Sequence, residues 1–209
     1  MKEYFLRPNR LHYRALGLYK TVQGFVHHLF EMINTIDNRQ KWISTGYGLF
    51  GELGPEALNV EKLSNIVGLN RSSFYHYFGD IESFESALFS HHIKQYEAFG
   101  EIIKDYDQFE QLFTQEVFDH KDALAFQRQL MINQGITRYK NCSDNARKFT
   151  EQKTFELWSV FNENKNESET EWTLFRALRD FYFIHHGQNT SLRDPKEVLM
   201  MLHQHLNKK

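Results

Sequence analysis

Apolar residues recur at the spacing of one helix face along most of this chain. Leu18, Val22, Phe25, Val26, Leu29, Phe30 and Ile33 form one stripe and predict an amphipathic helix over residues 15–36. Ile43, Phe50 and Leu53 predict a second, stopped by Gly54-Pro55. Asn59 stands where a cap belongs, before a short helix carrying Val60, Leu63 and Val67; Gly68 ends it. Asn70 opens another, whose apolar pair is Phe74 and Phe78, and Gly79-Asp80 breaks the chain before a long helix through Phe84, Leu88 and Tyr96. Further helices are predicted over 102–118 (Ile102, Tyr106, Phe109, Phe113), 121–133 (Leu124, Leu130), 144–163 (Phe155, Trp158, Phe161), 168–187 (Trp172, Phe175, Leu178, Tyr182) and 195–206, with 163–170 as a solvated loop. Prolines stand only at 8, 55 and 195, and no alternating pattern lasts long enough for a sheet. The fold class expected is all-α.

Residues 58–78 are the most informative stretch. A short amphipathic helix, a tight turn opening on glycine and a second short helix make a helix-turn-helix. Gly68 supplies the left-handed residue, Leu69 fills the angle between the helices, and Asn70 caps the second. Phe74 and Phe78, four apart, share one face and anchor the helix. Arg71, Ser72, Ser73, His76 and Tyr77 lie largely off that face. Small hydroxyls there permit close approach to a major groove, Arg71 suits a guanine or a phosphate, and Tyr75 and Tyr77 suit phosphate oxygens. With Asn59, Lys62 and Asn70, these form the expected contact set for double-stranded DNA.

Over residues 40–95 the sequence resembles the TetR/AcrR family of transcriptional regulators. The resemblance lies in Phe50-Gly51-Glu52-Leu53-Gly54, in Leu63 with Val67-Gly68-Leu69-Asn70, and in Ser73-Phe74-Tyr75-His76-Tyr77-Phe78 followed by Glu82-Ser83-Phe84. Ile81 stands where the family usually has a phosphate-contacting lysine, Tyr77 where it prefers histidine, and Ser72 where glycine is common. The resemblance implies a homodimer with a three-helix DNA-binding domain (39–82) and a larger helical effector-binding and dimerisation domain (83–209). It implies a palindromic operator, a ligand-responsive repressor and a small-molecule effector. Phe109, Phe113, Phe126, Phe155, Trp158 and Phe161 are the candidates for an apolar effector pocket. The last two helices are those expected to pair between subunits, with Trp172, Phe175, Arg179 and Tyr182 as candidates for that interface. A helical protein–protein interaction module that keeps the helix-turn-helix as scaffold is the alternative.

Composition narrows the classes further. The 209 residues hold 25 Lys+Arg against 27 Asp+Glu. Residues 1–80 carry 9 basic and 7 acidic side chains, and 81–209 carry 16 and 20, so a non-specific DNA coat is excluded while a module touching a few phosphates is not. Cys142 is the single cysteine. No apolar run approaches the ~18 residues of a membrane span, and a soluble cytoplasmic protein without membrane contact is expected. Gly46-Tyr47-Gly48-Leu49-Phe50-Gly51 matches a dinucleotide fingerprint, but no strand precedes it and helical spacing runs through it, so the glycines are read as helix-packing positions. The histidine pairs 27–28, 91–92 and 185–186 diverge on a helix and are expected at the surface or half-buried, with no metal and no cofactor. No nucleophile motif supports an enzyme. Residues 1–38 fit no part of the family pattern. Either they add a helix, with Arg7, Arg10 and Arg14 toward DNA, or the native chain starts at Met32; intact mass of the native protein discriminates.

Overall fold

The computed structural model describes residues 37–113, 120–161 and 168–185. The chain divides into two compact units, residues 1–42 and 43–209. In the first, the described residues 37–42 are helical, and Lys41 pairs with Asp37 at 2.7 Å. Helix α1 covers residues 37–53. After a 3-10 turn at Pro55–Ala57 come α2 (Val60–Val67), α3 (Arg71–Phe78) and α4 (Ile81–Ile103). A 3-10 segment at Phe109–Phe113 precedes α5 (Lys121–Ile132), α6 (Thr137–Arg147), α7 (Glu151–Phe161) and α8 (Glu169–His185). The described residues hold helices and no strand, so the molecule is all-α.

Between residues 43 and 100 the pattern reads through to the structure. Gly54 (φ 84°) stops α1, Asn59 caps α2, Gly68 (φ 74°) ends it, Asn70 caps α3 and Asp80 caps α4. One position departs: Leu53 is exposed, whereas Ile43 and Phe50 are buried.

Beyond residue 100 two expected helices are corrected. The helix expected over 102–118 is absent through residue 113. Helix α4 runs on to Ile103, and the Gln111 side-chain oxygen then accepts from the Asp107 and Gln108 amides, each at 2.8 Å. That local bond competes with helix continuation and tightens the chain into a 3-10 turn. The helix expected over 144–163 is two helices with a break at 148–150, and α6 begins seven residues earlier than expected. Its segment, Thr-Arg-Tyr-Lys-Asn-Cys-Ser-Asp-Asn-Ala-Arg, is mostly polar and buries only Tyr139, Cys142, Ser143 and Ala146. So thin a stripe gives little periodic signal. The predicted helices over 15–36 and 195–206 lie outside the described residues.

One aromatic core joins α1, α4, α5 and α6. Phe126 stacks on both Tyr47 (4.4 Å between centroids) and Phe50 (4.3 Å). Glycine lets α1 sit this low: a Cβ on Gly51 would lie 3.1 Å from the Phe126 amide nitrogen, and one on Gly46 would collide with the Phe84 ring, 2.7 Å from Cε1. Phe84 is itself fully buried and cannot yield cheaply. Gly46→Ala should therefore destabilise by about 1–3 kcal/mol as an overpacked contact. Gly48→Ala, whose Cβ meets nothing within 4 Å, should stabilise by up to about 1 kcal/mol through helix propensity. Urea unfolding of the two variants checks this, and a stabilised Gly46→Ala would refute the close approach.

Polar groups thread this core. Tyr47 Oη and His92 Nδ1 are 2.7 Å apart, His92 Nε2 and Gln127 Oε1 2.9 Å, and Gln127 Nε2 donates to Ser143 Oγ at 2.8 Å. Because the Gln127 amide nitrogen faces Ser143, its oxygen faces His92. The ring therefore donates from Nε2 and accepts the tyrosine proton at Nδ1, which makes it neutral. His92 is completely buried, correcting its expected half-exposed position; burial pushes its pKa down to about 4. Glu85 ties α4 to α6 by accepting from Arg138 Nε (2.9 Å) and Tyr139 Oη (2.8 Å).

Candidate nucleic-acid interface and ligand cavity

The turn between α2 and α3 is held by local chemistry. Asn59 Oδ1 accepts from the Glu61 and Lys62 amides at 2.9 and 3.1 Å, and Asn70 Oδ1 accepts from Ser73 N at 2.8 Å. Each cap satisfies N–H groups that open a helix. Ser64 Oγ donates to the Leu69 carbonyl, closing the turn from inside. Leu63 and Phe74 are wholly buried and Phe78 nearly so. Phe84 meets Phe74 and Phe78 edge-to-face at 5.1 and 4.8 Å, so α4 supplies the floor on which α3 rests.

Anchored this way, α3 presents its other side to solvent. Arg71, Ser72, Tyr75 and His76 are exposed, while Ser73 and Tyr77 are half-buried. Tyr75 is 54 % exposed, unusually open for a large aromatic. Asn59, Lys62 and Asn70 are exposed as well, although the oxygens of both asparagines are spent on capping. The Arg71 guanidinium meets Glu61 at 3.1 Å, with both side chains mostly in water. An exposed pair of this kind is worth about 0.2–1 kcal/mol and opens readily when a phosphate competes.

The second feature lies between α4, α7 and α8. Tyr96, Phe99, Phe109, Trp158, Phe175 and Phe183, with Leu112, Leu124 and Leu178, line a cavity of about 110 Å³, open to solvent on one side. Arg147, Thr150, Glu151, Thr154 and Arg179 supply its polar lining. Burial pushes the Glu151 carboxyl up, but the guanidiniums of Arg179 and Arg176 outweigh it and hold the group below the usual carboxylate range.

Of the six aromatic residues expected in a pocket, Phe109 and Trp158 line this one. Phe126 sits in the α1–α4–α5 core, Phe155 stacks on Trp172 at 3.7 Å, and Phe161 packs on Phe109 at 5.1 Å. The side chain of Phe113 lies outside the described residues. Of the residues expected at a subunit interface, Phe175 is buried in its own chain and lines the cavity with Arg179, and Trp172 is half-buried under the Arg176 guanidinium. Tyr182 is in α8, its side chain outside the described residues. Sequence reading missed Tyr96, Phe99, Thr150, Thr154 and Phe183. Their convergence needs four separate elements, and no spacing along the chain encodes it. The 46–51 glycine run is helical, so it forms no phosphate-cradling loop. Among the described residues no group of three His, Cys, Asp or Glu side chains is placed to hold a metal ion, and no helix is long and apolar enough to cross a membrane.

A structural likeness accompanies this geometry. The crystal structure of a TetR family transcriptional regulator, PfmR from Thermus thermophilus, matches 78% of this chain and 94% of its own at 18% identity, with a TM-score of 0.46. No family model and no curated protein matches the sequence. The functional reading therefore stands on this chain's own residues.

Proposed function

We propose that the protein is a sequence-specific DNA-binding transcriptional regulator, acting as a ligand-responsive repressor on a palindromic operator. One observation carries the reading: burial of Phe74 and Phe78 turns Arg71, Ser72, Tyr75 and His76 outward on a helix about 12 Å long, the size that enters a major groove. Residues 39–82 are the DNA-binding part and 83–209 the effector-binding and dimerisation part. A homodimer presents two α3 helices to successive grooves, and a small-molecule effector in the aromatic cavity shifts the balance between DNA-competent and incompetent states.

Gel shift and footprinting against the gene's own upstream region test this. A discrete protected site is expected, with log K against log salt falling at a slope of about −4 to −5, from two or three neutralised phosphates per subunit. Tyr75→Ala and Arg71→Ala should each weaken operator binding while leaving helicity unchanged. Full affinity in either variant removes that residue from the contact set.

A second reading has its own support. Residues 37–85 carry four basic side chains (Arg39, Lys41, Lys62, Arg71) against seven acidic ones, and Arg71 is paired with Glu61. That balance suits a helical protein–protein interaction module that retains the helix-turn-helix as scaffold. Capture of a protein partner together with no DNA affinity at low salt would establish it.

A further inference from the structure

The cavity between α4, α7 and α8 is larger than a packing defect, and the surface it presents is almost wholly carbon. At about 110 Å³ it exceeds the voids of an ordinary interior, few of which hold more than a water molecule. Apolar cavities of this order, about 150 Å³ in an engineered case, stay dry and take up one benzene-sized molecule. Aromatic rings and the side chains of Leu112, Leu124 and Leu178 make most of the wall.

The polar residues of the wall have their hydrogen-bonding groups engaged elsewhere. The Thr154 hydroxyl donates to Thr150 O at 2.9 Å and Glu151 O at 3.0 Å, and the Thr150 hydroxyl to Arg147 O at 3.4 Å. Glu151 accepts from Arg179 at 2.6 Å and from Arg176 at 3.3 Å, and Arg179 also holds Asp180 at 2.8 Å. Arg147 pairs with Asp144 and lies 3.9 Å from Asp180. Tyr96 Oη and Trp158 Nε1 are buried beyond the reach of a water molecule, so those two rings meet the cavity through carbon. A polar group seated here would leave water without finding a ready partner. A charged one would have to break an ion pair that is already made.

We propose that this cavity takes a small hydrocarbon, about one ring in size, held by burial and dispersion without a hydrogen bond. The inference rests on reading the cavity as the effector site and adds the chemical class of the effector. The rings and leucines select for an apolar body, and the volume restricts the seated part to a single ring. The engaged hydroxyls and the closed ion pairs select against polar and charged substituents.

Four single-ring probes test it on the full chain without DNA, titrated by calorimetry: toluene, phenol, benzoate and benzylamine. Toluene is expected to bind with a Kd of about 1 mM or tighter, and each polar probe at least about threefold more weakly. Thr154→Met places a flexible apolar side chain in the space. It should weaken toluene binding at least about tenfold and raise the Tm. If that variant does not fold, the wild-type series still decides. A polar probe within about threefold of toluene, or tighter, overturns the class while leaving the cavity a ligand site. Toluene binding weakened less than about tenfold in folded Thr154→Met places the hydrocarbon elsewhere and overturns the inference too. Failure of all four probes overturns the effector reading as well.

Discussion

Phe74→Ala should cost about 3–5 kcal/mol of folding stability, because it removes a fully buried ring and leaves a cavity among its neighbours. Phe74 lies edge-on to Phe84 at 5.1 Å and beside Phe78 at 5.3 Å. Phe84 is also the ring under Gly46, so α1, α3 and α4 meet at this one place. The variant should lose operator binding together with thermal stability. The paired comparison is Tyr75→Ala, next along the helix and exposed, which should lose binding with stability changed by less than about 0.5 kcal/mol. Thermal unfolding and gel shift on both variants separate anchor from reader. A Phe74→Ala protein of wild-type stability would mean that α3 is not held from beneath as described.

The buried His92 should make stability depend on pH between about 4 and 6.5. Its pKa falls from the ordinary 6.5 to about 4 in the folded chain, through burial first and despite its bond to Gln127. The unfolded chain takes a proton near 6.5, whereas the folded chain refuses it until about 4. The unfolded state therefore binds more protons between those values, and stability is lost as pH falls across that window. The full loss is about 3 kcal/mol. His91 shifts in the same direction for the same first cause, and Lys94 adds to it. The clean measurement is thus a difference between wild type and His92→Gln, which can still accept from Tyr47 and donate to Gln127 but cannot titrate. Urea unfolding from pH 7 to pH 4 should show the wild type losing about 3 kcal/mol more than the variant. Parallel profiles would place His92 in solvent or on a charged partner.

The helix-turn-helix was legible because its signals are local. Asn59, Gly68, Asn70, Gly79 and Asp80 each act within four residues of themselves, through a cap or a left-handed backbone, and each does so in the structure. Phe74 and Phe78 share a face by helix geometry alone. The break at 148–150 was not legible, because the chain there carries no proline or glycine and its neighbours decide its course. At that point the Phe149 carbonyl comes so close to Gly100 on α4 that a Cβ would stand 2.7 Å from it. The cavity was half legible: an abundance of phenylalanine announced an aromatic interior, yet nothing in the spacing told Phe109 and Trp158 apart from Phe126 and Phe155.

By itself, then, the sequence determined the all-α class and the turn between two short helices, with the side of α3 that faces away from the core. These follow from backbone preferences and from a period of 3.6 residues, which operate between near neighbours. Only the tertiary structure decided that His92 is sealed between Tyr47 and Gln127, that Glu85 holds Arg138 and Tyr139, and that Phe175 and Arg179 line a cavity within their own chain. Those hydrogen-bonded partners lie 35 to 54 residues apart. Contacts at such distances are set by how whole helices pack, and packing depends on shape and burial summed over the core, which no local stretch of sequence contains.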